Sequence, residues 1–376
     1  MQKKYRDWVV IAIGVLELKA LLFLWGYSQF DFQKFPDETW YSIWSRWDSL
    51  HYQRIAQHFY TRADLSEQDF HFLSHFPPGY SILMSVIHSA GPSLVVAGLI
   101  ISITAAVVAS CVLFELVHQD FNNRPAAFRA VVFMNIFPTA YFTNVPYSDS
   151  LYLALALVAF YFMRVSKHFN AAGFMIALAI FTRVVGIMLM PAVALALLEK
   201  YRQKELSFKQ MGILLFPIAG FVLYLYLNYI SYGNPLFFLQ DSASQSHTVK
   251  LGFMPFREAV TTLLAFCEQP LTLANDSFFR MTTGWNSAFV LLTTFACVCF
   301  IRRLPLIYSV YAFSYLFFIS SMTWGLSNAR YVFAIFPLFV GLGLINNRVI
   351  SLTVMSAFLP LLFYFSRMLV LGDWAF

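Results

Sequence analysis

An aspartate near the start of the sequence lies among residue types that could act on a hydroxyl group. Asp48 sits in the run RWDSLHY at residues 46–52, close to a cation and a histidine. A carboxylate in such surroundings can accept a proton as a general base. Aspartate is also a favoured helix N-cap, so Asp48 could instead only start a helix over about 49–60, with Trp47 as an interfacial anchor. Both interpretations stay open. The neighbouring candidates for substrate binding are Arg46, Trp47, His51 and Tyr52.

Two histidines follow in an aromatic segment that ends in Pro-Pro-Gly. His71 and His75 are four residues apart, a spacing that would let them share a metal ion on a helix. The prolines at 77–78 disfavour a long helix, and further metal ligands are not obvious. We therefore predict an aromatic loop at the membrane interface, keep His75 as a candidate binding residue, and predict no metal site.

A second carboxylate begins a later apolar run. Asp149 follows Pro146 and Tyr147 in the run NVPYSDS at residues 144–150. Proline and aspartate are good helix-start residues, so capping explains them. The alternative is that Asp149 and Tyr147 orient a sugar or an acceptor hydroxyl on the same side of the membrane as Asp48.

Two arginines lie within or at the edge of apolar runs. Arg183 separates two apolar half-spans, and Arg330 opens another span. An ionisable side chain at membrane depth is costly unless it is paired, so both arginines are candidate functional residues. A planar guanidinium suits a phosphate group, because it donates two parallel hydrogen bonds. The competing interpretation is a structural ion pair with Asp48 or Asp149.

The elements that must hold these residues are transmembrane helices. Hydrophobic residues make up 59% of the sequence and charged residues only 12%, with a mean hydropathy of +0.65, which argues against a water-soluble chain. Apolar runs of roughly 20 residues recur, long enough to cross the hydrocarbon core as helices, and they do not alternate as barrel strands do. The net charge of +6 lies largely in short loops, so it indicates membrane orientation and no nucleic-acid partner.

We predict one integral membrane domain over residues 1–376, all-α and polytopic, with about eleven transmembrane helices. The N-terminus is placed in the cytoplasm, because most loops on that side are then rich in Lys and Arg. Two large loops, 29–92 and 232–287, lie on the outer face, and 79–91 is interfacial or re-entrant. The segment 170–199 is either two short spans or one tilted helix. The other predicted spans are 8–28, 93–117, 126–142, 147–164, 211–231, 288–301, 305–321, 330–345 and 349–370.

Several short motifs occur in the order seen in a known family. They are Trp47-Asp48 with His51-Tyr52, Phe76-Pro77-Pro78-Gly79-Tyr80, Pro146-Tyr147-Ser148-Asp149-Ser150, Thr182-Arg183-Val184-Val185-Gly186, Tyr232-Gly233-Asn234-Pro235, and Arg330-Tyr331 with Phe336-Pro337. With this series the sequence resembles the PIG-V-like mannosyltransferases, a family with eukaryotic members that act on the GPI anchor and many bacterial relatives. Two departures are Pro-Pro-Gly-Tyr in place of a sequence closer to Phe-Pro-Leu-Tyr-Pro, and Asp149 where relatives often carry glutamate. The compact chain favours a bacterial member.

The resemblance implies a GT-C fold, a helical bundle whose first outer loop holds a catalytic carboxylate. Such enzymes take a sugar, here most simply mannose, from a polyprenyl monophosphate carrier and transfer it with inversion to a glycolipid or glycan acceptor. Asp48 matches the acidic position and would be the general base. Arg183 and Arg330 would stabilise the leaving phosphate, with His51 or His75 as helpers. The resemblance implies no required cofactor, although some GT-C enzymes use a metal. It also implies that the site lies on the outer face of a bacterial inner membrane.

Two other classes of function stay open. A transporter or lipid flippase could use membrane-embedded charges as a substrate path, but the distinctive residues here cluster at one face, whereas transporters place their sites near the midplane. A non-catalytic subunit of glycoconjugate assembly would keep the fold and tolerate loss of Asp48. Replacing Asp48 with asparagine separates an enzyme from both alternatives.

Overall fold

The computed structural model describes residues 2–62, 64–239, 254–321 and 326–376, and every regular element in these ranges is helical. The first ten α-helices are α1 (Gln2–Gln29), α2 (Asp48–His58), α3 (Glu67–Phe72), α4 (Gly79–His88), α5 (Leu94–Phe121), α6 (Arg124–Ile136), α7 (Asp149–Arg164), α8 (Phe169–Thr182), α9 (Met190–Arg202) and α10 (Gly212–Tyr232). The later ones are α11 (Arg257–Glu268), α12 (Pro270–Asn275), α13 (Trp285–Phe300), α14 (Leu306–Ser320), α15 (Asn328–Tyr331), α16 (Phe336–Gly343) and α17 (Arg348–Val370), with short turns at Ser277–Phe279 and Arg280–Gly284 before α13.

Six helical segments of the described chain are long and apolar enough to cross a membrane. They are Tyr5–Gln29, Leu94–Phe121, Val184–Arg202, Phe208–Tyr232, Arg280–Phe300 and Arg348–Val370. The prediction of a helical membrane protein is confirmed. The count of about eleven spans stays a prediction, since the apolar helices α8 and α14 are shorter than a full crossing. Helix α4 has only 10 residues, and the interfacial or re-entrant placement of this segment stays a prediction.

Two predicted spans contain shorter helices than their apolar runs suggest. Within 126–142, α6 ends at Ile136 because Phe137 precedes a proline and adopts an extended conformation, with ψ of 141°. A 3-10 turn at Ala140–Asn144 follows. Within 330–345 the longest helix is α16, which has 8 residues and begins with a proline in its first turn. Both interruptions lie next to the residues described below as the candidate site.

The segment 170–199 is two helical pieces separated at Arg183. The backbone of Arg183 is extended (φ −150°, ψ 126°), and a 3-10 turn at Val184–Leu189 leads into α9. The turn folds tightly against α8, because a Cβ atom on Gly186 would lie 2.8 Å from the backbone nitrogen of Ile180. The single tilted helix is therefore excluded, and the break places a charged residue inside an apolar region.

Small residues let the central helices approach closely. Ala126 and Ala130 of α6 are fully buried, and a Cβ atom on Gly343 of α16 would lie 2.6 Å from the Ala126 carbonyl oxygen. Small residues at such spacing are the usual means by which membrane helices pack, because lipid tails provide no hydrophobic drive for association. Helix α7, which begins at Asp149, is packed between α5 and α8 and is therefore held firmly at the centre of the bundle.

The two ends of the bundle differ in their polar groups. Helix α7 runs from Asp149 to Arg164, a length of roughly 24 Å at the usual rise per residue. At the Arg164 end, its guanidinium forms a bidentate ion pair with Asp120 of α5, at 2.8–3.1 Å. At the Asp149 end, the helix meets the first residue of α2 and the short helix α15. That end carries the candidate site.

Candidate active site

Two carboxylates and two arginines, far apart in sequence, form one ion-pair network at the Asp149 end of the bundle. The Arg330 side chain bridges the carboxylates: its Nη1 lies 2.5 Å from Asp48 Oδ2, and its Nε and Nη2 each lie 2.8 Å from Asp149 Oδ2. The Arg183 Nη1 is ion-paired with the other oxygen of Asp149. The two positive and two negative charges compensate one another.

Neither carboxylate caps the helix that it begins. Asp48 and Asp149 are the first residues of α2 and α7, yet the residues before them make no capping hydrogen bond, and both carboxylates turn to Arg330. Their position at helix N-termini still stabilises negative charge, because the helix dipole is positive there. The capping interpretation of both aspartates is therefore wrong in its detail, and the ion-pair interpretation is confirmed by the contacts.

Burial separates Asp48 from the other three members. Arg330 is 3% exposed, Asp149 7% and Arg183 10% in their side chains, whereas Asp48 is 28% exposed. Charges buried this deeply are tolerated only when they are paired, since their desolvation is expensive. Asp48 is the one carboxylate of the network that an incoming molecule can reach.

Aromatic rings enclose the guanidinium groups of the network. The Arg330 guanidinium lies 4.4 Å from the ring centre of Tyr147 and 5.1 Å from that of Phe142. The Arg183 guanidinium lies 4.9 Å from the ring of Tyr331. Such stacking adds to the ion pairs, and it also fixes the plane of each guanidinium.

Each arginine is held by an irregular stretch of backbone. Arg330 lies in the one-turn helix α15, whose Ala329 N–H donates to Asn286 Oδ1 of α13 at 2.7 Å. Arg183 occupies the extended residue between α8 and the following turn. In both places the break in the helix lets a long side chain reach across to Asp149 instead of following a helix surface.

Tyr147 positions the backbone around Asp48. Its hydroxyl oxygen accepts the Asp48 N–H at 3.2 Å and its hydroxyl donates to the Arg46 carbonyl at 2.9 Å. Between them, Trp47 has a left-handed backbone (φ 50°, ψ −119°), which is unfavourable for a bulky residue. Strain of this kind persists only where the surroundings impose it, and it clusters at functional sites.

The remaining predicted residues surround α2 without joining the ion-pair network. Arg46 pairs with Glu38 at 2.7 Å, and the hydrogen bonds from Ser42 and Arg46 hold the pKa of Glu38 below its ordinary value although burial opposes this. The Tyr52 hydroxyl lies 2.6 Å from Ser148 Oγ, and burial raises the pKa of Tyr52 to about 12.

The two predicted histidines lie against aromatic rings. The His51 ring packs on Phe72 and Phe76, with centres 5.0 and 4.9 Å away, and burial lowers the pKa of His51 although the carboxylates of Asp48 and Asp69 oppose this. His75 donates its Nδ1–H to the Phe72 carbonyl oxygen at 3.0 Å. In the described ranges, no group of three His, Cys, Asp or Glu side chains converges as metal ligands would.

Two features next to the site were not predicted from the sequence. Trp374 lies beyond α17 and packs edge-on against Trp47, with ring centres 5.0 Å apart. Lys19, in the middle of α1, is 2% exposed and donates to Thr143 Oγ1, while its carbonyl accepts from Asn144 Nδ2. Lys19 is a charge within an apolar run of the sequence, but nothing local indicates its contact with the turn before Asp149. Trp374 carries no local signal at all.

This chain is similar to one protein family in sequence and to a solved structure in fold. A family model described as Dolichyl-phosphate-mannose-protein mannosyltransferase matches residues 75–229, less than half of the chain. No curated protein matches the sequence. A solved structure that does match is that of ArnT from Cupriavidus metallidurans, a crystal structure with bound undecaprenyl phosphate. The two chains share 13% sequence identity with a TM-score of 0.53, over 93% of this chain and 62% of the ArnT chain. The fold is of the GT-C type.

The GT-C fold confirms the predicted fold class. At this low identity the likeness concerns the fold alone, and the chain spans only 62% of the length of ArnT. The region matched by the mannosyltransferase family model includes Asp149 and Arg183 but neither Asp48 nor Arg330. The ion-pair network therefore joins residues inside the matched region to residues on both sides of it.

Proposed function

We propose that this GT-C protein is a glycosyltransferase that moves a sugar from a polyprenyl-phosphate carrier to a hydroxyl group of a lipid-linked or envelope glycan acceptor. The observation that carries the proposal is the position of Asp48: an accessible carboxylate joined to a buried network of two arginines and a second carboxylate. The matching family is described by mannosyl transfer from dolichyl phosphate, and the ArnT structure holds undecaprenyl phosphate, which both support a lipid-phosphate donor.

Asp48 is the general base in the proposed reaction. The acceptor oxygen attacks the anomeric carbon of the donor from the side opposite the phosphate, while Asp48 accepts the hydroxyl proton. The bond between the anomeric carbon and the phosphate oxygen breaks, and its electron pair leaves with the lipid phosphate. The products are an inverted glycoside and the lipid monophosphate, and the proton on Asp48 passes to solvent. A positioned base contributes about 10²–10⁴-fold to such a rate.

The other network members orient Asp48 and set the charge around it. Arg330 shares its guanidinium between both carboxylates, so it can stay bonded to Asp149 when Asp48 turns to the acceptor. Fixed cations near a developing phosphate charge lower the barrier, because they need no rearrangement during the reaction. Arg183 contributes its positive charge through its ion pair with Asp149. Arg46, Trp47, His51, Tyr52, His75 and Tyr147 are proposed to shape the surrounding substrate site. No general acid is needed, since a lipid phosphate is a good leaving group, and the proposed chemistry calls for no metal or other cofactor.

The finer assignments rest on the sequence resemblance. We propose mannose as the sugar and a bacterial PIG-V-like enzyme as the subfamily. We further propose a single domain over residues 1–376 in a bacterial inner membrane, with the N-terminus in the cytoplasm and Asp48 on the outer face. The ion pairs Arg124–Asp7 and Arg164–Asp120 support this orientation, because they place arginines at the end of the bundle opposite Asp48.

The proposal is tested by sugar transfer in nanodiscs from a defined polyprenyl-phosphate-mannose to a mixed pool of glycolipids. Asp48→Asn should lose transfer by at least 10²-fold while it still binds the donor. Asp37→Asn is the control, since Asp37 is an exposed carboxylate in the same outer loop and should keep full activity. Equal activity of wild type and Asp48→Asn would refute the assignment of the base. Donor movement across a vesicle membrane that survives Asp48→Asn would instead favour the transporter alternative.

A further inference from the structure

Arg54 is an arginine of the candidate site region that has no partner in the described chain. It lies on α2, six residues after Asp48, and its side chain is half-buried. Its Nε and Nη2 atoms are buried and have no hydrogen-bond acceptor, and no ion pair or ring contact of Arg54 is formed with the described residues. These two guanidinium nitrogens have lost water without any replacement.

The other arginines near the site differ from Arg54 because each of them forms an ion pair. Arg46 pairs with Glu38, and both Arg183 and Arg330 pair with Asp149. Buried polar groups in proteins nearly always have a partner, so an exception calls for an explanation such as an ion or ligand. The exception here is found on the helix that Asp48 begins. The arginines first expected to bind phosphate are already compensated, whereas the charge of Arg54 is not.

The chemistry of the missing partner follows from the guanidinium. A neutral sugar hydroxyl would satisfy a hydrogen bond but would leave the charge uncompensated. A phosphate group supplies both negative charge and several acceptor oxygens in the geometry that a guanidinium matches best. Six residues of helix place the Arg54 backbone about 9 Å along the axis from that of Asp48. The same six residues turn the helix by about 600°, so the two side chains leave it about 120° apart and would contact different parts of one bound molecule.

We propose that Arg54 binds a phosphate group of a lipid-linked substrate. The identity of that lipid as a substrate rests on the proposed glycosyltransferase function, whereas phosphate binding itself does not. The phosphate could belong to the polyprenyl carrier of the donor or to a phosphate-bearing acceptor lipid. Both sources share the chemistry that Arg54 requires, and they are separated by experiment.

The first experiment measures the affinity of purified protein in nanodiscs for two probes, undecaprenyl phosphate and phosphatidylinositol. Octyl mannoside, which has no phosphate, serves as the ligand control. Arg54→Gln should weaken binding of one phosphate probe by about tenfold or more, because charge-assisted bonds to a phosphate are lost, and Arg54→Lys should retain part of the affinity. Arg62→Gln is the matched control, since Arg62 lies in the same loop but is 62% exposed and 3.8 Å from Glu67.

The probe whose binding is lost identifies the lipid that supplies the phosphate. Loss of undecaprenyl phosphate binding assigns the donor phosphate to Arg54, and loss of phosphatidylinositol binding alone assigns the acceptor phosphate. Unchanged affinity for both probes overturns the inference. Wild-type protein that binds a probe through Arg54 yet transfers no sugar would refute the glycosyltransferase proposal and leave the phosphate site standing.

The second experiment measures thermal stability without any phosphate lipid. Two buried nitrogen atoms without acceptors are unfavourable in the free protein, so Arg54→Gln should raise the melting temperature by about 1–3 °C. Undecaprenyl phosphate or phosphatidylinositol should then stabilise the wild type and have little effect on the variant. A lower melting temperature for lipid-free Arg54→Gln would mean that Arg54 has a structural role, and would overturn the inference.

Discussion

Replacement of Asp149 by asparagine should strongly destabilise the protein. The carboxylate is 7% exposed and receives Nε and Nη2 of Arg330 at 2.8 Å on one oxygen, with Arg183 on the other. Asparagine leaves two buried guanidinium groups with only Asp48 as a counter-charge. Removing one partner from a buried ion pair costs about 3–5 kcal/mol. We expect the change to lie in that range, which is a large share of the stability of a typical domain.

The control is an ion pair in the same region that is less buried. Arg46 and Glu38 are 23% and 26% exposed in their side chains and lie 2.7 Å apart. Pairs with that much solvent contact are worth about 0–1 kcal/mol, so Glu38→Gln should have a small effect. Thermal unfolding of both variants in the same detergent, followed by tryptophan fluorescence, gives the comparison directly.

A double variant sharpens the reasoning. Combining Asp149→Asn with Arg183→Gln removes one charge of each sign, so part of the loss should be recovered, with a coupling of about 0.5–3 kcal/mol. The electrostatic account is refuted if Asp149→Asn is no more harmful than Glu38→Gln. It is also refuted if the two substitutions are simply additive, because independent sites would then explain the data without an ion pair.

Three further outcomes are expected. Tyr147→Phe removes the acceptor of the Asp48 N–H, so the rate of sugar transfer should fall about tenfold while donor binding is kept. Equal kcat values for the wild type and Tyr147→Phe would contradict the positioning role of Tyr147. Burial lowers the pKa of His51 below its ordinary value of 6.5, so protonation favours the unfolded chain and stability should fall as the pH drops below about 6.5. Between pH 7.5 and 5.5 the melting temperature should fall less for His51→Gln than for the wild type. An equal fall for both proteins would rule out a contribution from His51. Gly186→Ala places a Cβ atom 2.8 Å from the Ile180 nitrogen and should cost about 1–3 kcal/mol, whereas a melting temperature equal to that of wild type would show that the turn can relax.

The site illustrates where sequence reasoning succeeds and where it stops. The sequence indicates Arg183 and Arg330 because a charge in or beside an apolar run is costly wherever it lies, and Asp48 and Asp149 because a carboxylate there could act on a hydroxyl group. Both arguments can be made residue by residue. Their pairing could not be read in that way, since Asp48 and Arg330 are 282 residues apart in the chain. Asp48 shows the difference, because local preference allowed a helix cap, whereas in the structure its carboxylate is paired with the distant Arg330.

Arg54 shows the opposite case. In the sequence it is one arginine in a polar stretch after Asp48, where a solvated side chain is the ordinary expectation. Only the packing around α2 reveals that two of its nitrogen atoms are buried without an acceptor. An absent partner is a property of the whole surrounding surface, so no local pattern can indicate it.

The sequence by itself determined that the chain is a helical membrane protein, because apolar length and charge scarcity act locally and additively along each segment. It also indicated which charges were too costly to be incidental. The tertiary structure decided which of them meet, that Arg330 lies between two carboxylates, and that Trp374 returns to Trp47. These contacts depend on how helices distant in the chain pack against one another, and on breaks such as the one at Arg183 that aim a side chain across the bundle.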